Sequence, residues 1–453
     1  MKQKITLVIL FFSIICNAQK IEFPKESSFY NPVIKTFSVE ISEPKTSNHS
    51  ELIQDAIDKI NKKGGGLLKI NATKNNFVYT ISQEIQIKSN VHIKVSPLVV
   101  FKGDSPKVLK FFSVGKQGKG EIGNISLTSM NDDKPFTFDF TNRIAGEDKN
   151  GGTIAVALGG ANNFKLANFK VLDNNTRFSS ITMNLQKFSN NKYLFAKNGV
   201  IENIEVTNAH YGYGVVQCQA SYNVLYRNLK GSGGATLRLE TGAVHNAYLK
   251  DKNVKVDENY AENIYCENGQ AAITLSPHTI VNGKVFINDV EAVSCETGLI
   301  IAAGFLSKKK EQRDKQGNAI NGHIYGTFNA ESIISNVKIV YGKNAQLRNT
   351  RRNFVPCDQR NLVSKDRNED EESFKGPSVS GIVYFAKGGT DPNKGFYTIH
   401  TPNLKMVGFP KENKEIFTSN KFSFKDCDIK FKKEPSKITG GKKKKNKGKK
   451  KKN

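Results

Sequence analysis

From residue 67 to residue 342 the chain is a succession of short runs in which apolar and polar residues alternate: LLKI, EIQIKSNVHIKV, LVVFKG, NISLTS, NFKLANFKVLD, IENIEVTN, YNVLYRNL, AENIYCEN, VFINDVEAVSC and ISNVKIVYG. A period of two belongs to a strand with one buried face, because successive side chains leave a strand on opposite sides. Many runs end in Asn or Gly, the residues that best tolerate the left-handed backbone needed where a strand bends into its successor. One segment departs from this pattern. SNHSELIQDAIDKINKKGGG places Leu52, Ile53, Ala56, Ile57 and Ile60 on one helical face, with Ser50 at the capping position and Gly64 to Gly66 as the stop.

A second set of strands aligns on a preceding glycine: Gly214 before VVQCQ, Gly234 before ATLRLE, Gly269 before QAAITLSPH and Gly298 before LIIAAG. The anchors lie 20, 35 and 29 residues apart, which suits a repeating coil with loops of varying size. A single coil cannot bury its own inner face, whereas stacked coils share a continuous core. The predicted fold is therefore all-β, a right-handed parallel β-helix spanning 19–305, with the early helix covering its open N-terminal end. From 306 to 377 the chain turns highly charged and poorly periodic around the single run ESIISNVKIVYG, which predicts an inserted subdomain over one face of the solenoid. Strands resume at VSGIVYF and close with FSFKDCDIKF, giving C-terminal coils over 378–432.

The two ends change the picture. MKQKITLVILFFSIICNAQ sets Lys2 and Lys4 before an apolar run from Ile5 to Ile15 and then small residues, the layout of an export signal cleaved after Ala18, so a secreted protein is expected. The apolar run is too short for a transmembrane helix. The last fourteen residues hold nine lysines of a formal net charge of +26; subtracting the nine leaves +17 on the rest, so the body is basic in its own right. A basic secreted protein concentrates polyanions at its surface. No nucleic-acid recognition module is present, and the Lys-rich tail, 433–453, reads as a solvated, disordered segment. Five cysteines remain after residue 18, an odd number without disulfide-framework or zinc-site spacing. Cys218, Cys266 and Cys295 fall inside strand-like runs, where a thiol is a small buried hydrophobe.

Alternation then names the candidate chemistry. Val216 and Cys218, Leu237 and Leu239, and Ile273 and Leu275 face the core; Gln217 and Gln219, Thr236, Arg238 and Glu240, and Thr274, Ser276 and His278 face out. Coils stack about 4.8 Å apart, so three successive strands set Gln217, Arg238, Glu240 and His278 on one external patch. An amide, a cation, a carboxyl and an imidazole suffice for general-acid attack on a glycosidic oxygen if Glu240 holds a proton. A polar outer face is also what any solvated solenoid presents, and it is the convergence of the four that singles them out. Arg238, Gln219 and Thr274, with Arg348, Arg351, Arg352, Arg360 and Arg367 of the insertion, are the expected substrate contacts, since guanidinium forks suit sulfate or carboxylate groups.

The helical cap, the coil pattern, the Gln217-to-Glu240 spacing within YGYGVVQCQASYNVLYRNLKGSGGATLRLETG and the late charged insertion resemble the iota-carrageenases of glycoside hydrolase family 82. The resemblance runs from about Glu51 to Phe431 and is strongest from Ile201 to Phe305. It implies a secreted β-helix enzyme that cleaves β-1,4 linkages of a sulfated red-algal galactan with inversion, an inserted domain closing over the groove. By position it makes Glu240 the general acid, with Gln217 and His278 lining the site. The family pattern places its base, an aspartate, two residues after the acid; here that position is Gly242. His278, His245 and Glu267 are the replacement bases considered, in that order. Two rivals keep the fold: a polysaccharide lyase acting on an acidic polysaccharide, and a non-catalytic polyanion-binding protein. No polygalacturonase-type aspartate cluster, nucleotide loop or zinc-type histidine pair appears. No cofactor is called for. A structural Ca²⁺ on the Asn131-Asp132-Asp133 loop is the one metal considered, with solvated surface carboxylates as the commoner explanation, and a monomer is expected.

Overall fold

The computed structural model describes residues 21–104, 109–143, 152–307, 311–365 and 373–431; the expected export signal, Arg367 and the Lys-rich tail lie outside them. The alternating runs stack in parallel and in register. Val216, Leu237, Ile273, Leu299 and Ile382, one from each successive coil, form a single inward ladder and are fully buried. Strands on a second face pair in the same sense, from Ala161–Leu172 through Val256–Glu267 to Leu404–Val407. The result is the right-handed parallel β-helix that the periodicity predicts. Its core is aliphatic in the C-terminal half and rich in phenylalanine earlier, where Phe101, Phe111, Phe112, Phe136, Phe138 and Phe169 pack edge to face.

The asparagines that end the runs turn the coils. Asn168, Asn203, Asn228 and Asn263 all have left-handed backbone. The last three each donate to their predecessor, Asn203 to Asn168 at 2.8 Å, Asn228 to Asn203 at 2.7 Å and Asn263 to Asn228 at 2.8 Å, so the bend is a hydrogen-bonded ladder. The amide stack, buried only at Asn168, satisfies its own polar groups and repeats the same turn from coil to coil.

The helix His49–Lys62 sends Ile53, Ala56, Ile57 and Ile60 into the core. Its cap is Asn48 rather than Ser50: the Asn48 side chain accepts from the Glu51 amide, and the Ser50 hydroxyl is buried, accepting from Ser82 N at 3.0 Å. A strand before the helix, Ser38–Ser42, pairs with Gly66–Asn71 and was not evident in the hydropathy pattern. Upstream of it, Phe29 and Tyr30 are buried against Val200 and Leu225, and Glu26 pairs with Lys165 and Arg227. An N-terminal strap thus runs across the outside of several coils.

Between Thr297–Ile301 and Ser380–Tyr384, which pair directly, the chain leaves the solenoid twice. It returns once for Ile333–Val340, which stacks on Val285–Val293. The second excursion is a three-stranded antiparallel sheet, Ala345–Arg348, Ser373–Gly376 and Ser364–Lys365, with two short 3-10 helices. Its apolar side, Leu347, Phe354, Val355 and Phe374, covers Ile300 and Val383 on the outer face of the coils. Two expectations are corrected at the C-terminal end. FSFKDCDIKF forms no strand, and its Cys427 is disulfide-bonded to Cys357, so two of the five cysteines are paired after all. Spacing could not reveal a bridge across 70 residues between the insertion and the last segment.

Candidate active site

The strand Ser221–Glu240 ends in the quoted alternation and positions the site. Its bend is enforced at Gly234, whose φ is +62° and whose position leaves no room for a side chain: a Cβ there would lie 2.0 Å from Tyr213 O. The bend is also pinned from outside. Gln346, on the first strand of the insertion, accepts from Gly234 N at 2.6 Å and donates to Ala209 O at 3.1 Å. No feature of the local sequence announces that role. The alternation slips at this corner: Val215 and Val216, and likewise Ala272 and Ile273, are consecutive residues that both enter the core. Thr236 therefore does not face out. It is fully buried, and its hydroxyl donates to Tyr265 O at 2.7 Å.

Beyond the corner the period of two holds. Thr182, Gln217, Arg238, Thr274, Ile300 and Val383 are in register in one outward column. The insertion covers its Ile300 end and leaves Gln217 and Arg238 beside its edge. Glu240 lies one step along, paired with Ser276. Arg238 hydrogen-bonds Glu240 Oε2 and Gly212 O and lies over the Tyr213 ring, 5.7 Å from its centroid. His278 Nε2 is 3.2 Å from Glu240 Oε1, and its ring packs on Phe305 at 4.3 Å between centroids. The predicted convergence of Arg238, Glu240 and His278 is thus present, with Gln217 on the adjacent coil opposite Arg238.

Burial by itself would raise the Glu240 pKa. Arg238, then His278 and finally Arg348 outweigh it and bring the carboxyl down to about 2. The anion of Glu240 is thus favoured, held between a guanidinium and an imidazole.

The other expected contacts are distributed unequally. Gln219 is buried and its Oε1 accepts from Ala243 N at 3.0 Å, so it shapes the turn after the strand. Thr274 is buried within the column. Arg351 does not face a groove: it is buried and bonds Glu296 Oε2 at 2.8 Å. Burial raises the Glu296 carboxyl, against the pull of Arg351. Arg352 stacks on Phe374, 3.9 Å from the ring centroid, and donates to Asn349 Oδ1. Arg360 is buried and donates to Val355 O and Ile429 O. These three guanidiniums fix the insertion in place, Arg351 to the coil and Arg360 to the C-terminal segment, because a fork that suits sulfate suits carbonyl and carboxylate oxygens equally. Arg348 alone of the four is exposed, its backbone fixed by Glu296 Oε1 at 3.2 Å and its charge felt by Glu240.

The replacement bases are otherwise engaged. His278 is bonded to Glu240 itself. His245 is 3.0 Å from Gly242 O through Nδ1. Glu267 accepts from Tyr265 at 2.9 Å and ends a strand that pairs with Ser221 to Ser232, not with the segment carrying Glu240. On the acidic loop, Asn131 accepts from Asp133 N within the turn, and Asp132 accepts from Asn168 of the next coil. No helix among the described residues is long and apolar enough to cross a membrane.

No family model matches the chain. An iota-carrageenase of Alteromonas macleodii is 29% identical to it over 442 residues, covering 84% of this chain and 85% of the relative. Among solved structures, a 1,3-α-1,4-β-D-galactose-4-sulfate-3,6-anhydro-D-galactose-2-sulfate 4 galactohydrolase superposes with a TM-score of 0.76 at 26% identity, covering 90% of this chain and 96% of that one. An iota-carrageenase complexed to iota-carrageenan fragments gives 0.75 at 26% identity, with coverage of 90% and 96%. In sequence over most of its length and in fold over nearly all of it, this chain is a homologue of the iota-carrageenases of glycoside hydrolase family 82.

Proposed function

We propose that this protein is an exported, endo-acting glycoside hydrolase that cleaves β-1,4 linkages of iota-carrageenan, with Glu240 as the acid that protonates the leaving oxygen. The observation that carries the reading is the Arg238–Glu240–His278 cluster on the outward face of a β-helix homologous to iota-carrageenases. The relatives act on a polymer with a sulfate on each sugar of its repeat, as one of their names spells out. Sulfate groups docking on Arg238 and Arg348 would form charge-assisted forks. They would also offset Arg238 and Arg348, two of the three groups that keep Glu240 ionised, His278 being the third. Burial, the largest single influence on that carboxyl, would then weigh more heavily and shift Glu240 toward the protonated form it needs. In this reading His278 orients Glu240, and Gln217 offers its amide to the sugar from the neighbouring coil.

Inversion of configuration requires a second group to deprotonate water, with about 6.5–9.5 Å between the two carboxyls of a typical pair. His278, at 3.2 Å, is far too close to Glu240 to act across a sugar ring from it. A second reading, binding without cleavage, is favoured by one observation: position 242 is glycine, and His278, His245 and Glu267 have other partners. Export is supported by the signal-like start and by the Cys357–Cys427 bridge, which suits an oxidising compartment. The deciding experiment measures reducing ends released from iota-carrageenan by wild type and Glu240→Gln. Release by wild type and loss in the variant, with binding retained, supports the hydrolase; no release by wild type despite binding removes it and leaves the second reading. Products absorbing in the ultraviolet would instead reveal a lyase.

A further inference from the structure

His245 and His323 are far apart in sequence and adjacent in space. Their ring centroids are 5.8 Å apart, with 46° between the planes. His245 opens the helix His245–Lys250, which begins five residues after Glu240; His323 sits in the first loop of the insertion, its amide bonded to Ile320 O at 3.1 Å. Each ring carries a buried nitrogen with no hydrogen-bond partner, Nε2 of His245 and Nδ1 of His323, and His323 is only 5% exposed. A buried polar atom without a partner is costly, and two such atoms on adjacent rings call for a ligand that joins the rings.

The chemistry of the rings narrows that ligand. Gly242 O, 3.0 Å from His245 Nδ1, can only accept, so the proton of neutral His245 is on Nδ1 and its Nε2 presents a lone pair. A backbone carbonyl holding the far nitrogen of an imidazole is the usual second contact of a metal-binding histidine. We propose that His245 Nε2 and His323 Nδ1 together bind one divalent transition-metal ion of the zinc, copper or nickel class. Zinc–imidazole bonds of about 2.0–2.1 Å place two rings on one ion with centroids roughly 5–6 Å apart, and the observed separation falls in that range. Imidazole selects this class over Ca²⁺ or Mg²⁺, which take oxygen ligands. No cluster of three or more His, Cys, Asp or Glu occurs among the described residues, so water completes the shell and the ion is removable by chelators. Its effect is to tie the first loop of the insertion to the helix that follows the catalytic strand, independently of what the groove binds.

The test uses tag-free full-length protein stripped with EDTA and titrated calorimetrically with Zn²⁺ and, separately, Cu²⁺. One ion per chain is expected, with affinity at least tenfold weaker in His245→Gln and in His323→Gln and unchanged in His400→Gln, an exposed histidine elsewhere. Saturating Zn²⁺ should raise the Tm of wild type and not that of the two variants, whose folding is checked by circular dichroism. Absence of binding in wild type, or binding indifferent to both substitutions, overturns the proposal and leaves a bridging water as the occupant.

Discussion

The His278 imidazole fills the space beside Gly242: a Cβ on Gly242 would come within 2.6, 2.7 and 2.8 Å of three ring atoms. The glycine that departs from the family pattern and the histidine on the next coil therefore form one arrangement, since an aspartate at 242 and the ring at its present place exclude each other. Gly242→Asp should destabilise the protein by about 1–3 kcal/mol, the usual cost of overpacking. Adding His278→Gly should recover most of that, because it vacates the space and suits the left-handed φ of +50° at that position. Urea unfolding of the single and double variants checks this; a double variant no more stable than Gly242→Asp alone would show that the contact is not the cause.

Glu240 makes stability depend on pH in a defined direction. Its folded pKa is depressed from 4.5 to about 2, so its contribution is fully present above 4.5 and fades as pH falls towards 2. In denaturant titrations from pH 6 to pH 3, wild type should lose stability more steeply than Glu240→Gln. Parallel curves would mean that the carboxyl is not held by Arg238 and His278.

The insertion's arginines should separate into two kinds. Arg348→Ala, which removes an exposed cation felt by Glu240, should lower kcat/KM on iota-carrageenan about tenfold, as expected for one charged hydrogen bond, with little change in Tm. Arg351→Met leaves Glu296 buried and unpaired and should cost about 3–5 kcal/mol of stability, with KM unchanged in the folded protein. Steady-state kinetics and thermal melts on both variants distinguish these outcomes from a uniform loss of substrate binding.

The Cys357–Cys427 bridge closes a loop of 70 residues, for which chain entropy gives about 4 kcal/mol. Reduction, or the Cys357→Ser/Cys427→Ser pair, should lower Tm and expose the segment from Phe422 to Phe431 to protease before the coils are cut. Limited proteolysis followed by mass spectrometry reads the order of cleavage; first cuts within the coils would contradict it.

What the sequence determined by itself is whatever repeats locally. The period of two assigned inward and outward faces to Gln217, Arg238 and Glu240, the asparagines marked the turns, and the glycine anchors set the coil length, because each depends on a few adjacent residues. Thr236 escaped that reading because the bend at Gly234 shifts the alternation by one residue, and Asn48 rather than Ser50 caps the helix because Ser50 is needed against Ser82. Only the tertiary structure decided which polar groups are free. Arg351, Arg352 and Arg360 look like Arg348 in the sequence, yet three are engaged with Glu296, with Asn349 and Phe374, and with Val355 and Ile429, and one is left exposed with its charge felt by Glu240. Gln346 at Gly234, His323 at His245 and the bridge from Cys357 to Cys427 likewise join segments far apart in the chain. Such pairings are fixed by the register of stacked coils and the docking of the insertion, which no local pattern encodes.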